Sequence, residues 1–321
     1  MRLATILHIA VSLLASQSAW AATSPASLRA TLQKSIQFVE VKGVYWIESK
    51  KCVSCHRIGN MVWGLTAAKT VGLQVSNQLD KWLEWSNLDV LSKTEKGEVK
   101  GTANKTGVVQ IIQANTAVGG DKYADFTRKL IPLLFANQNG DGSWTPGGQL
   151  PSQKRDKAET TQVATMWIAL AIMQNTPSTE TPTPLTNALE YLKDKLAGKS
   201  TEWYVASFLL EREQGNDELA EKRIDQLIAA QQEDGGWGWN LEEASDALGT
   251  GMALFALSKA KSPNQVSEAI VKAREFLVAT QNTDGSWSVN GTKFNKRHTP
   301  IETSIYWGTA WALLGLSEAM P

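Results

Sequence analysis

The sequence predicts an all-α protein, an α/α toroid closed from about six helical hairpins with repeated Gln-to-Trp turns. Three observations carry this prediction. The segment Gln138-Asn-Gly-Asp-Gly-Ser-Trp144 recurs as Gln231-Gln-Glu-Asp-Gly-Gly-Trp237 and as Gln281-Asn-Thr-Asp-Gly-Ser-Trp287. Each copy ends one helical pattern and precedes a second, more apolar one. The chain also holds 13 Trp against 5 Tyr and 7 Phe, a bias that one Trp per repeat helps to explain. Repeats of this period are supersecondary units that bury their apolar faces only against neighbouring units.

The elements follow in order. Arg2, a mostly apolar stretch from Ala4 to Ala15, and Ala19-Trp20-Ala21 read as a secretory signal, residues 1–21, cleaved after Ala21. Residues 22–321 form a single domain. Its first pair of helices spans 32–41 and 60–71, and the second spans 79–91 and 107–117. The motif-bearing third pair spans 126–138 and 159–174. The fourth, 185–196 with 202–212, has lost its Asp-Gly turn. The fifth spans 220–231 and 243–260, the sixth 268–281 and 302–319. Asp-Gly between two helices is turn chemistry: Gly takes the left-handed conformation that ends a helix, and Asp binds local amides. Closing six such hairpins into a ring removes exposed end faces without capping repeats.

The motif Gln-x-x-Asp-Gly-Ser/Gly-Trp resembles the repeat of the squalene cyclase and prenyltransferase superfamily, the terpenoid cyclase-like toroids. The resemblance covers roughly residues 30–319 and implies the fold. The activity does not carry over. An Asp-x-Asp-Asp segment, which supplies the acid in the cyclases, does not occur, and both cysteines stand in a different motif from the zinc-binding set of the prenyltransferases.

That motif is Cys52-Val-Ser-Cys55-His56, which resembles the attachment site of a c-type haem. Two thiols three positions apart reach both porphyrin vinyl groups as thioethers, and His56 is then placed as proximal iron ligand. A Cys52–Cys55 disulfide and a zinc site are the alternatives. Aligning Trp63-Gly64 with Trp307-Gly308 puts the motif in the inter-helix loop of the first unit and His298 in the equivalent loop of the last, its neighbour in a closed ring. His298 is thus the candidate sixth ligand of the iron, with Met61, Met166 and Met252 as competitors.

Balanced charge, with 32 basic and 32 acidic residues, gives no reason to expect a nucleic-acid partner. After signal cleavage no membrane span is expected, and the location is periplasmic or secreted. The functional expectation is an exported monohaem cytochrome-like protein with a redox partner protein. Its alternatives are a haem-dependent enzyme or sensor holding a small or apolar ligand in the barrel cavity, and a cyclase-like enzyme without haem.

Before the inner helices stand Asp156, Glu159, Glu202, Glu242, Glu243, Asp246 and Glu302, read first as helix-capping groups together with Thr160, Ser200 and Thr299. Asp246 is the weak catalytic candidate. Trp63, Trp167, Trp203, Tyr204, Trp239, Tyr306, Trp307 and Trp311 recur near one level of the inner helices. An aromatic pocket follows if half of them face inward.

Overall fold

The computed structural model describes residues 24–53, 57–147, 153–177 and 179–321. The expected signal segment, 1–21, lies outside the described residues. All six expected hairpins are present. The outer helices are α1 (Pro25–Lys50), α3 (Leu79–Leu91), α6 (Asp121–Phe135), α8 (Thr183–Leu192), α10 (Asp217–Ala229) and α12 (Pro263–Thr280). They alternate with inner helices α2 (Ile58–Thr70), α5 (Lys105–Val118), α7 (Lys157–Gln174), α9 (Thr201–Glu213), α11 (Ala247–Leu257) and α13 (Glu302–Glu318); a one-turn α4 (Lys100–Ala103) precedes α5. Each inner helix packs on the next, and α13 packs on α2, so the ring is closed.

Burial explains which helix goes where. In α11 every residue from Ala247 to Leu257 is buried, the pattern of a helix with protein on all sides. In α6 only Tyr123, Thr127, Leu130, Ile131 and Leu134 are buried, a single stripe at helical spacing. The α11–α13 crossing is closest, because Gly251 lies against the backbone of Trp311 and Ala312, and Gly315 against that of Gly251.

The repeated turn does three jobs. Asp141, Asp234 and Asp284 each accept a backbone N–H two residues on, closing the turn. Gly142, Gly235 and Gly285 have φ of 88°, 84° and 87°, and a Cβ there would strike the carbonyl of Asn187, Lys272 or Lys34 on the next outer helix. The Gln amide then ties the turn to that helix. Gln138 Nε2 donates to Gly142 O at 2.9 Å and Pro184 O at 2.8 Å, and Gln231 Nε2 donates to Gly235 O at 2.8 Å and Ala269 O at 2.9 Å. Gln281 Nε2 donates to Gly285 O at 3.1 Å and to Thr31 O at 2.9 Å, which joins the last unit to the first. The motif tryptophans are buried, and the backbone N–H groups of Trp144, Trp237 and Trp287 donate to Thr165, Thr250 and Thr309 on the inner helices.

The fourth unit lacks this turn and uses a substitute. Glu159 Oε1 accepts from the backbone N–H of Ser200 at 2.8 Å and from its hydroxyl at 2.5 Å. Boundaries differ from expectation at α11, which starts at Ala247 because Asp246 occupies its N-cap, accepting from Gly249 N at 2.8 Å. Of the three hydroxyl residues expected as caps, Ser200 is one. Asp156 caps α7 instead, and Thr160 sits inside its first turn, donating back to Asp156 O. Ile301 rather than Thr299 stands at the N-cap of α13.

Replacing Gln281 by Ala should cost about 1–3 kcal/mol, because both carbonyls lose their donor. Gly285→Ala should cost more than Gly72→Ala: both have positive φ, but Gly72 opens onto free space. Urea unfolding of the three variants checks this order.

Candidate ligand cavity at the N-terminal mouth of the ring

The six inner helices run parallel, so the ring has one mouth of helix N-termini and one of C-termini. A plug of rings separates them. Trp63 meets Phe255 at 5.3 Å, Trp311 at 5.4 Å and Trp167 at 6.2 Å between centroids, all near edge-to-face. Such pairs add roughly 0.5–1.5 kcal/mol each beyond their burial.

Above the plug, at the N-terminal mouth, lies a cavity of about 50 Å³. Its floor is Trp63, Trp167, Trp307 and Trp311, and its polar wall is Gln110, Gln153, Arg155 and Glu202. Arg155 and Glu202 form an ion pair at 2.8 Å with side chains only 2% and 9% exposed. Burying two charges is costly unless other bonds share the load. Here Arg155 also donates to Thr160 and Ser200 at 3.2 Å and stacks on Trp239, while Glu202 accepts from Trp167 Nε1 at 3.3 Å. The wall is therefore polar and net neutral.

Four buried atoms on residues that line this space lack a hydrogen-bond partner among the described residues: Gln110 Oε1, which packs against Gly59, Gln153 Oε1, Trp307 Nε1 and Trp311 Nε1. Buried polar groups left unpaired cost about 1–3 kcal/mol each. The cavity walls thus carry two acceptors and two donors without partners among the described residues.

Half of the expected aromatic set reaches the cavity. Of the rest, Tyr306 turns outward and donates to Val39 O at 3.1 Å. Trp239 lies under Arg155, and Trp203 donates to Gln162 and packs on Tyr204. Sequence reasoning missed Gln110, Gln153 and Arg155. It weighed carboxylates and rings, and nothing local distinguishes these three from solvated side chains.

Asp246 does not line the cavity. Its Oδ1 caps α11 and its Oδ2 accepts from Trp239 N at 3.3 Å. Desolvation pushes its pKa up to about 6, against the opposing pull of the Gly249 N–H, the Lys154 charge and the Trp239 N–H. Of the other carboxylates, Glu243 pairs with Lys154 and Glu302 with Arg57 at 3.0 Å, while Glu242 is exposed.

Of the expected haem-attachment residues, Cys55 and His56 lie outside the described residues. Cys52 is half-buried, and its carbonyl accepts from Trp46 Nε1 at 3.2 Å. The chain leading to the motif is fastened: Val53 donates to Asp89 and accepts from Asn104. The Arg57–Glu302 pair does bring the loops before α2 and α13 together, and His298 stands in the second of them, four residues before Glu302. Met61 is buried with its sulfur beside Gly43 and Tyr306; Met166 and Met252 are buried in their inner helices.

Residues 204–320 match the family model of the squalene-hopene cyclase C-terminal domain. A squalene–hopene cyclase of Zymomonas mobilis is 38% identical over 97 residues, which is 29% of this chain and 14% of that relative's length. Among solved structures, a glycosyl hydrolase family 88 protein from Bacteroides vulgatus superimposes with a TM-score of 0.62 at 11% identity, covering 92% of this chain and 99% of that one. A polysaccharide lyase gives 0.59 at 11% identity over 92% and 97%. A mutant unsaturated glucuronyl hydrolase of Streptococcus agalactiae gives 0.59 at 10% identity over 98% of each chain. At these identities the likeness is one of fold.

These matches overturn the cytochrome expectation, along with its electron-transfer role and its alternative as a haem-dependent enzyme or sensor. The family match is to a cyclase domain, and the whole-chain likenesses are to lyases and hydrolases. The physical reason is one of scale. Five residues indicate an attachment chemistry, whereas the architecture of the other three hundred is a ring around a cavity.

Asp246 sets a pH test. Its folded pKa lies above the ordinary value of 3.8, so folding favours the protonated form. The stability it contributes is complete below that value and is lost as pH rises through about 6. Relative to Asp246→Asn, the native chain should lose roughly 3 kcal/mol of stability over this window, read as the difference between their urea unfolding free energies.

Proposed function

We propose that this toroid binds saccharides, taking one hydroxyl-rich residue at the N-terminal mouth. The four polar atoms without partners on the lining residues, two on the tryptophan floor and two on the polar wall, carry the reading. A sugar ring offers an apolar C–H face to indole and hydroxyls that both donate and accept. That is the complement of two free carbonyl oxygens and two free indole N–H groups. The neutral wall favours an uncharged guest.

Size narrows the ligand. A cavity of about 50 Å³ is the room of only about four waters, so it suits the end of a saccharide and not a long hydrocarbon chain. Hydrolysis by two carboxylates needs a free pair flanking the bond. Glu202 is the carboxylate among the described lining residues, and Arg155 holds it. The geometry thus supports recognition. That solved relatives in fold are named polysaccharide lyase and glucuronyl hydrolase agrees with a saccharide guest.

Titration with a panel of neutral mono- and disaccharides, followed by tryptophan emission, tests the reading. Gln110→Leu and Trp307→Phe each remove one unpartnered atom and should weaken the best ligand about five- to twentyfold. Saccharides that never perturb the emission, or variants that bind as the native chain does, would sink the proposal. Glu202→Ala should instead destabilise the fold by about 3–5 kcal/mol, because it leaves Arg155 buried and unpaired.

The cofactor is a separate proposal, as is export with cleavage after Ala21. Cys52 and Cys55 would hold haem c as thioethers, with His56 as proximal ligand and His298 as candidate sixth ligand. The pyridine haemochrome of protein made with a cytochrome c maturation system should show covalent haem. Its absence removes the cofactor and leaves the saccharide reading standing.

A further inference from the structure

The opposite mouth holds a larger cavity, about 390 Å³, between the last turns of the inner helices. Its inner wall includes Trp63, Trp167 and Phe255, so the plug that floors one cavity also floors the other. We propose that this C-terminal mouth is a second site, for an organic cation: an ammonium group on a compact apolar body.

The rings come first. Aromatic faces attract a cation through their quadrupole, more strongly where water is excluded. The cavity already holds an ammonium of the protein's own: Lys259 Nζ sits 5.5 Å from the Phe255 centroid and 2.5 Å from Glu318 Oε2. The other cation in the lining, Arg212, donates to the carbonyl of Lys259 at 2.8 Å, just beyond the end of α11. Glu213 has no ion-pair partner among the described residues; its Oε2 accepts only a 3.4 Å contact from Gln174 Nε2. The lining carries two cations and two carboxylates, and Glu213 is the carboxylate left without an ion-pair partner among the described residues.

The backbone works in the same direction. Six parallel helices end here, and each C-terminus carries the negative end of its dipole. The volume is that of a small-molecule pocket, which starts at roughly 300 Å³. None of this depends on what the N-terminal mouth binds.

Choline and its uncharged tert-butyl isostere separate charge from shape. Calorimetric titration of the full chain should give saturable choline binding, with the isostere about tenfold weaker. Glu213→Gln, at an exposed position, should weaken choline about three- to tenfold and leave the isostere unchanged. Phe255→Leu keeps an apolar side chain but removes the ring, and should again penalise choline alone. If that variant does not fold, Glu213→Gln carries the test by itself. Equal affinity for the two ligands, no saturation with choline at about 50 mM, or indifference to Glu213→Gln each overturns the proposal.

Discussion

Everything in this protein depends on ring closure, and closure depends on spacing between neighbouring outer helices. The Gln-x-x-Asp-Gly-x-Trp turn sets that spacing. Its glycine allows a carbonyl of the next outer helix to approach where any side chain would collide, and its Gln amide bonds to that same helix. The last copy reaches Thr31 of α1, some 250 residues away in sequence. A chain with three good copies and three poor ones still closes; in the fourth unit Glu159 of α7 instead holds Ser200, the N-cap of α9, a tie between inner helices.

Closure has an electrostatic consequence. Parallel inner helices put six N-termini at one mouth and six C-termini at the other. The acidic groups Asp156, Glu159, Glu202, Asp246 and Glu302 collect at the first, where they cap helices or pair with Arg155 and Arg57. The basic side chains of Lys259 and Arg212 serve the second. Between them the Trp63, Trp167, Trp311 and Phe255 cluster separates two compartments in place of one open channel.

The capping reading and the catalytic reading of the carboxylates separate once the structure is known. Asp156 and Asp246 are caps, and Glu202 is half of a buried pair. The Cys52-Val-Ser-Cys55-His56 segment shows the opposite limit. It was conspicuous in the sequence, yet it did not identify the ring's role, because a covalent attachment signal is local and the cavity is assembled from α2, α5, α7, α9 and α13 together.

The all-α class, the six hairpins and the alternation of inner and outer helices are legible in the amino-acid sequence. These follow from hydrophobic period and turn chemistry, which act within a few residues. The sequence also places the loops before α2 and α13 side by side, since a ring makes its ends neighbours; the Arg57–Glu302 pair spans that seam. Which rings face inward and which polar atoms lack partners depends on the packing of helices distant in sequence. Trp63 lines the cavities while Tyr306 turns to α1, although both recur at the same level of their helices. Gln110 and Gln153 are ordinary amides in the sequence. They become candidate binding groups because closure buries them in the lining that holds Trp307 and Trp311, each with an oxygen lacking a partner among the described residues. Such a property belongs to the space between helices, and no single segment encodes it.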